Sequence, residues 1–157
     1  MKRNFLLAML VAWCCVSCKP KPVEVDPVCG HWGCETYVSC RYYDDGSEYW
    51  ETFDYEVGSD RGYEVLLRQD GTGKIWLHES PALFKVFSFS FGHDHETEEL
   101  VVQGNDPLLS LYYPLLAENG ARLQIEALDN THLTLSWMNF VSESDPFFER
   151  FYLKKIE

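Results

Sequence analysis

The sequence predicts an all-β domain that follows a targeting segment. Three observations indicate strands: apolar and polar residues alternate with a period of two along most of the chain, helical periodicity does not recur, and turn signals separate the alternating runs. About eight to ten short strands result. This spacing fits both a two-sheet sandwich and a closed barrel.

The N-terminus has the pattern of a secretion signal that ends at a modified cysteine. A basic pair follows the first Met, residues 5–13 form an apolar core, and Ser17 is the small residue before the cut. The core is too short to cross a bilayer, which takes about 20 apolar residues. Ser17 and Cys18 resemble the lipobox of bacterial lipoproteins. We expect a signal peptide over residues 1–17 and acyl chains on Cys18, with an ordinary cleaved signal as the alternative.

Residues 18–29 form the expected tether between this anchor and the folded domain. Pro20, Pro22 and Pro27 remove amide donors and favour an extended chain. At roughly 3.1 Å per residue its proline-rich part, residues 19–27, reaches about 25 Å, and this part is too polar and too rich in proline to join a core. We expect a lipoprotein of the cell envelope, bound to the outer membrane through the acyl chains on Cys18.

Residues 30–157 form the expected single domain, in which Asp70-Gly71 is the strongest hairpin signal. The run 108–116 is interrupted by Pro114 and is interpreted as a strand with an irregular end. The expected strands are residues 34–42, 49–57, 63–67, 75–78, 83–91, 99–103, 108–116, 121–127, 133–138 and 147–156.

The charge of the chain excludes one class of partner. The net charge is −12, and removal of Lys2 and Arg3 with the signal leaves 11 basic against 25 acidic residues, a net charge of −14. Such a surface repels phosphate backbones, so we expect no nucleic-acid binding.

Three cysteines remain in the mature chain besides Cys18, an odd number for an oxidising compartment. Cys34 and Cys40 share one face of a predicted strand about 20 Å apart, too far for a bridge. Cys29 precedes that strand, and a turn across residues 30–33 would bring it to Cys34. Cys29–Cys34 is therefore the disulfide candidate, and a Cys29–Cys40 bridge or three free thiols are the alternatives.

Several motifs, in their order, resemble the lipocalins. Gly30-His31-Trp32 precedes the first strand as the Gly-x-Trp motif does in that family, and the hairpin at residues 70–73 and the runs 123–135 and 150–156 are similar to the lipocalin-like lipoproteins of Bacteroides and its relatives. The resemblance implies an up-and-down antiparallel β-barrel of about eight strands over residues 30–157. It also implies that Trp32 closes the barrel base and that Arg150 packs over it. The Thr-Asp-Tyr motif of the better-known lipocalins is absent.

The resemblance implies a binding protein, not an enzyme, whose barrel holds a small apolar or amphipathic ligand. Alternation places Phe87 and Phe89 on one strand face with Lys85 among them, and these residues together with Trp137 are the candidates for the cavity lining. No nucleophile elbow, His-Glu-x-x-His motif or phosphate loop occurs. No cofactor is expected.

Two further clusters of residues, one of histidines and one of aromatic residues, allow other functions. His93 and His95 lie among carboxylates, a donor set that suits zinc, nickel or copper, but a solvated hairpin tip is the simpler interpretation and no resident metal is expected. Aromatic residues crowd residues 42–55 and either pack in the core or form an exposed platform. The second case indicates an envelope accessory protein that binds an unspecified protein or glycan through an aromatic, acidic outer surface.

Overall fold

A computed structural model describes residues 24–59, 61–80, 83–104, 120–140 and 146–156, and these hold nine strands and no helix. The strands are β1 (Gly30–Tyr42), β2 (Glu48–Asp54), β3 (Gly62–Leu67), β4 (Thr72–Ser80), β5 (Leu83–Asp94), β6 (Glu99–Gly104), β7 (Ala121–Leu128), β8 (His132–Phe140) and β9 (Pro146–Lys155). The expected signal peptide, Cys18 and the expected strand at 108–116 lie outside the described residues. Within the described ranges, no helix has the length and hydropathy needed to span a membrane.

The sheet closes on itself as an antiparallel barrel. Each strand from β3 to β9 pairs with the next along the chain, and β9 pairs back onto β1. The other edge of β1 is shared: its first residues pair with β3 and its later residues pair with β2. Because β2 and β3 occupy consecutive stretches of one edge, nine strands make an eight-stranded barrel. This confirms the predicted all-β, up-and-down barrel of about eight strands over the sandwich alternative.

One end of the barrel, here called the base, is closed by buried side chains. The β3–β4, β5–β6 and β7–β8 turns lie at this end together with the start of β1. Trp32 and Val28 are completely buried there and belong to the main core cluster. The opposite end, here called the hairpin end, carries the β1–β2 hairpin. Its strand β2 pairs with β1 alone among the described strands.

A bulge in β1 changes which residues face inward. The β1–β9 register shifts between Cys34 and Thr36, so Cys34 pairs with Leu153 while Cys40 pairs with Phe148. Leu153 faces the interior and Phe148 lies on the opposite face, because they are an odd number of residues apart in β9. The single shared face expected for Cys34 and Cys40 is therefore wrong, since an extra residue reverses the alternation beyond it.

The described part of the tether joins the core, against expectation. Val28 is fully buried, whereas Val25 is 63% exposed. Asp26 makes a turn here, because its carbonyl accepts the Cys29 N–H (2.9 Å) and its carboxylate accepts the Val28 N–H (3.1 Å). The polar composition of residues 18–29 concealed this apolar side chain, which the turn directs into the barrel base.

Candidate functional site

The barrel contains an apolar cavity of about 130 Å³. Fifteen side chains from β3 to β9 line it, and Glu149 is the single charged one among these described residues. The alternation of each strand produces this lining, because every second side chain points inward. The cavity is therefore suited to an apolar body with at most a small polar group.

Aromatic rings form much of the cavity wall. Phe87, Phe89 and Trp137, all proposed from alternation, line it together with Tyr63 and Phe151. The Tyr63 and Phe151 rings meet edge to face, with centroids 6.0 Å apart. Such contacts hold rings in fixed orientations and shape the cavity.

The fourth lining candidate, Lys85, is not among the described residues that line the cavity. It pairs with Leu77 in the β4–β5 register, next to the Ile75–Phe87 pair on the same face. Lys85 therefore lies on the expected face beside Leu77, which lines the cavity, but is not itself part of the described lining.

The base of the site is Trp32, but its cationic neighbour differs from the expectation. The Trp32 Nε1–H donates to the Val28 carbonyl (2.9 Å), and Lys155 Nζ lies 5.1 Å from the Trp32 ring centroid. Arg150 lies over Phe148 (5.0 Å) and pairs with Glu126 (2.8 Å) on the outer face. The strand register explains the correction, because β9 places Lys155 opposite Trp32 and Arg150 opposite Val38.

A hydrogen-bonded pair of half-buried Tyr37 and buried Glu149 supplies the polar feature of the site. The Tyr37 hydroxyl donates to Glu149 Oε1 (2.7 Å), and Glu149 is only 7% exposed. Burial raises the pKa of the Glu149 carboxyl, an effect that the Tyr37 hydrogen bond partly offsets. Burial likewise raises the pKa of Tyr37, with the neighbouring Glu149 charge as the next cause. A carboxyl of this kind can exchange hydrogen bonds with one polar group of a ligand.

Sequence reasoning missed both members of this pair. Glu149 lies in phase with Phe151 and Leu153 in β9, so its inward position was readable from alternation. Tyr37 was hidden by the β1 bulge, which moves it onto the inner face opposite Phe151.

The early aromatic residues divide between the interior and an exposed surface. Phe53 stacks on Tyr37 with centroids 6.0 Å apart and is 43% exposed. Tyr43, Tyr49 and Trp50 are each at least half exposed. Trp50 lies on the outer face of the barrel. It forms a cross-strand row there with Cys40, Phe148 and Met138.

The described cysteines Cys29, Cys34 and Cys40 are all free thiols. The candidate Cys29–Cys34 bridge is therefore not formed. Residues 30–33 are extended in β1 and pair with β3, so the turn that the bridge requires does not exist. Burial raises the pKa of Cys34 to about 12, which makes it an inert structural thiol.

The two histidine candidates lie at the barrel base. The His93 side chain is 4% exposed and contacts Asp26, whereas His95 is 65% exposed. The expected solvated tip therefore describes His95 and not His93. The sequence contained no signal for the participation of Asp26, which is 67 residues away.

Comparisons with known proteins show a lipocalin-like fold. A lipocalin-like protein from Bacteroides uniformis superposes with a TM-score of 0.51 at 15% identity, over 83% of this chain and 100% of that one. An uncharacterized protein from Bacteroides eggerthii (TM-score 0.47, 12% identity, 81% and 98% coverage) and bovine odorant binding protein in complex with a selenium-containing odorant (0.47, 12%, 88% and 76%) are more distant. No protein-family model and no curated protein sequence matches the chain.

Proposed function

We propose that this protein binds a small apolar or amphipathic ligand inside its barrel while acyl chains on Cys18 hold it at the cell envelope. The observation that carries the proposal is the apolar cavity inside the barrel with one buried carboxyl, Glu149, in its wall. Apolar cavities with a few placed polar groups are the usual form of small-molecule sites. No step of chemistry is needed for this function.

The dimensions of the cavity define the ligand class. Its volume is about 130 Å³, and an apolar cavity of about 150 Å³ accommodates a molecule such as benzene. The part of the ligand that lies within the barrel is therefore one ring or a short alkyl chain. A longer ligand extends past Tyr37 and Phe53 at the hairpin end, since Trp32 fills the base.

The ligand's polar group is a neutral hydrogen-bonding group. A raised pKa means that the Glu149 carboxyl resists carrying a buried charge. A ligand hydroxyl can donate to Glu149 or accept from its protonated form, while Tyr37 keeps its own hydrogen bond to the same carboxyl. An alcohol with a compact apolar body fits these demands better than a permanent cation or a second carboxylate.

A substitution that fills the cavity tests ligand binding. Leu123 lines the cavity, and Leu123→Trp should reduce the affinity for an environment-sensitive apolar dye at least tenfold, because the indole occupies the ligand's space. Met138→Trp adds an indole on the outer face of β8 and is the matched control. Dye binding is measured by fluorescence titration, and thermal unfolding checks that both variants fold. Equal affinity in the two variants would contradict interior binding.

The lipid anchor also has a structural consequence. Because Val28 is buried at the base while Val25 is 63% exposed, the chain that leads back to Cys18 leaves the barrel at its base. Multiple acyl chains make such attachment stable.

Cys18→Ala tests the anchor directly. The variant should leave the membrane fraction and lose labelling with a radioactive or clickable fatty acid. Cys29→Ser, which removes a thiol near the base, should remain membrane-bound and labelled. Unchanged fractionation of Cys18→Ala would refute lipidation at this residue.

A second candidate function rests on the free edge of β2. This strand pairs with β1 alone among the described strands and exposes Tyr49, Trp50 and Phe53. Its sequence also carries Glu48, Glu51 and Asp54. An unpaired edge accepts an added strand, and these carboxylates favour a basic segment of a protein partner over a second acidic copy of the chain.

Site-specific crosslinking tests this second function. A photo-reactive amino acid at Trp50 should give a discrete crosslinked species in host cells, whereas the same group at exposed Gln103 on β6 should not. Mass spectrometry of the crosslinked peptide should find it rich in Lys or Arg. No species specific to Trp50 would count against a protein partner, and a positive glycan array would indicate sugar binding instead.

A further inference from the structure

Three potential metal ligands converge at the barrel base. Asp26, His93 and His95 each offer a ligand atom, and these atoms all lie within 4.8 Å of one another. His93 Nδ1 is 3.0 Å from both carboxylate oxygens of Asp26, and His95 Nε2 is 3.5 Å from one of them. The two imidazole centroids are 3.9 Å apart.

The fold fixes two of these ligands before any metal arrives. Asp26 is held by its turn at the start of the core, where its Oδ1 accepts the N–H of the fully buried Val28. His93 is 4% exposed on β5 next to that turn. His95 is exposed and follows the end of β5, so its ring is able to reorient.

The distances match a small divalent cation. Zinc ligands at about 2.0–2.2 Å and tetrahedral angles lie roughly 3.3–3.6 Å from one another. The Asp26–His93 and Asp26–His95 separations of 3.0 and 3.5 Å lie close to this range. A modest rotation of the exposed His95 ring brings its nitrogen into place.

A second carboxylate stands behind the buried histidine. His93 Nε2 is buried and has no hydrogen-bond partner among the described residues, and Glu98 Oε2 lies 3.8 Å from it. With a metal on Nδ1, Nε2 would carry the proton, and the exposed Glu98 side chain would have to move closer to accept it. A carboxylate behind a ligating imidazole is the usual outer-shell arrangement of histidine metal sites.

We propose that Asp26, His93 and His95 bind one divalent late transition metal, of the zinc class, on the outside of the barrel base. Two imidazoles and one carboxylate are the donor set that zinc, nickel and copper accept. Solvent completes the coordination sphere, because His95 and Glu98 are exposed. The metal cross-links the tether to the β5–β6 hairpin and thereby strengthens the base.

Metal titration of the detergent-solubilised mature protein, stripped with a chelator, tests the proposal. Zinc chloride alone should bind one ion per chain in calorimetry and raise the unfolding temperature, because binding to the folded state stabilises it. Asp26→Asn and His95→Ala should each weaken zinc binding at least tenfold. His132→Ala, which removes another exposed histidine at the base, should leave the affinity unchanged.

Two measurements separate this site from other sources of zinc binding. The cobalt complex should show ligand-field bands without the thiolate charge-transfer band that Cys29 would cause, and Cys29→Ser should bind zinc as the wild type does. Glu98→Gln should weaken binding about tenfold as an outer-shell change. The absence of stoichiometric binding, or undiminished binding by His95→Ala, would overturn the proposal and leave a metal-free His–Asp pair.

Discussion

Single residues determine how polar the cavity and the base of this barrel are. Glu149 places a carboxyl in an apolar wall, and Tyr37 supplies its hydrogen bond. A buried polar group is tolerated when it is hydrogen-bonded, and the remaining acceptor capacity is available to a ligand. Trp32 at the base is the apolar counterpart, since its one polar atom is satisfied by the Val28 carbonyl.

Replacement of Glu149 by Gln should change how stability depends on pH. Burial raises the carboxyl pKa above its ordinary value of 4.5, so the folded chain binds this proton more tightly than the unfolded chain does. The free energy of unfolding therefore falls as pH rises from about 4.5 through the folded-state pKa. Glu149→Gln keeps an acceptor for Tyr37 and removes this loss, so the stability of the variant relative to the wild type should increase with pH. Denaturant unfolding of the wild type and the variant from pH 4 to 8 measures this difference in the free energy of unfolding. A difference that does not change with pH would contradict a raised pKa of Glu149 in the folded state.

At the scale of elements, local irregularities matter as much as the regular strands. The bulge between Cys34 and Thr36 reverses the faces of β1, which turns the half-buried Tyr37 inward and prevents a common face for two cysteines. The tether is the other such element. Its last residues are part of the base because a turn at Asp26 directs Val28 inward.

Two valines of the tether provide a matched test of this docking. Val28→Ala should reduce the free energy of unfolding by about 1–2 kcal/mol, because it removes two buried methyl groups. Val25→Ala removes the same groups from a side chain that is 63% exposed and should have almost no effect. Equal effects in denaturant unfolding would mean that the tether does not pack on the base.

At the scale of the whole molecule, the sheet closes into a barrel without β2, which extends from its edge. The β1–β9 pair closes the barrel over nine register positions, and each of those strands has neighbours on both sides. β2 continues the edge of β1 beyond β3 and, among the described strands, pairs on one side only. The molecule thus combines a closed barrel with one exposed strand, β2, that is rich in aromatic residues.

Hydrogen exchange should reveal this division. The amides of β2 should exchange much faster than those of β9, because a strand paired on one edge opens without breaking the barrel. Mass-spectrometric exchange on peptides from Glu48–Asp54 and Pro146–Lys155 makes the comparison. Similar protection of the two strands would indicate that the outer edge of β2 is covered.

The alternation of apolar and polar residues was sufficient to predict several residues of the cavity wall. Phe87, Phe89 and Trp137 face inward because side chains in a strand alternate, and this rule needs only neighbouring residues. The same rule was sufficient for Glu149, but its charge was not expected in an apolar wall. It was insufficient for Lys85, since alternation gives the face of a side chain and not whether that side chain reaches the cavity wall.

The sequence by itself determined the strand content and the alternating apolar faces, because both follow from local periodicity. Only the tertiary structure decided that the sheet closes through β1 and β9, that Lys155 rather than Arg150 covers Trp32, and that Asp26 meets His93. These features depend on strand register and on contacts between residues far apart in the chain. A single bulge or turn shifts such contacts without leaving a mark in the hydrophobic pattern.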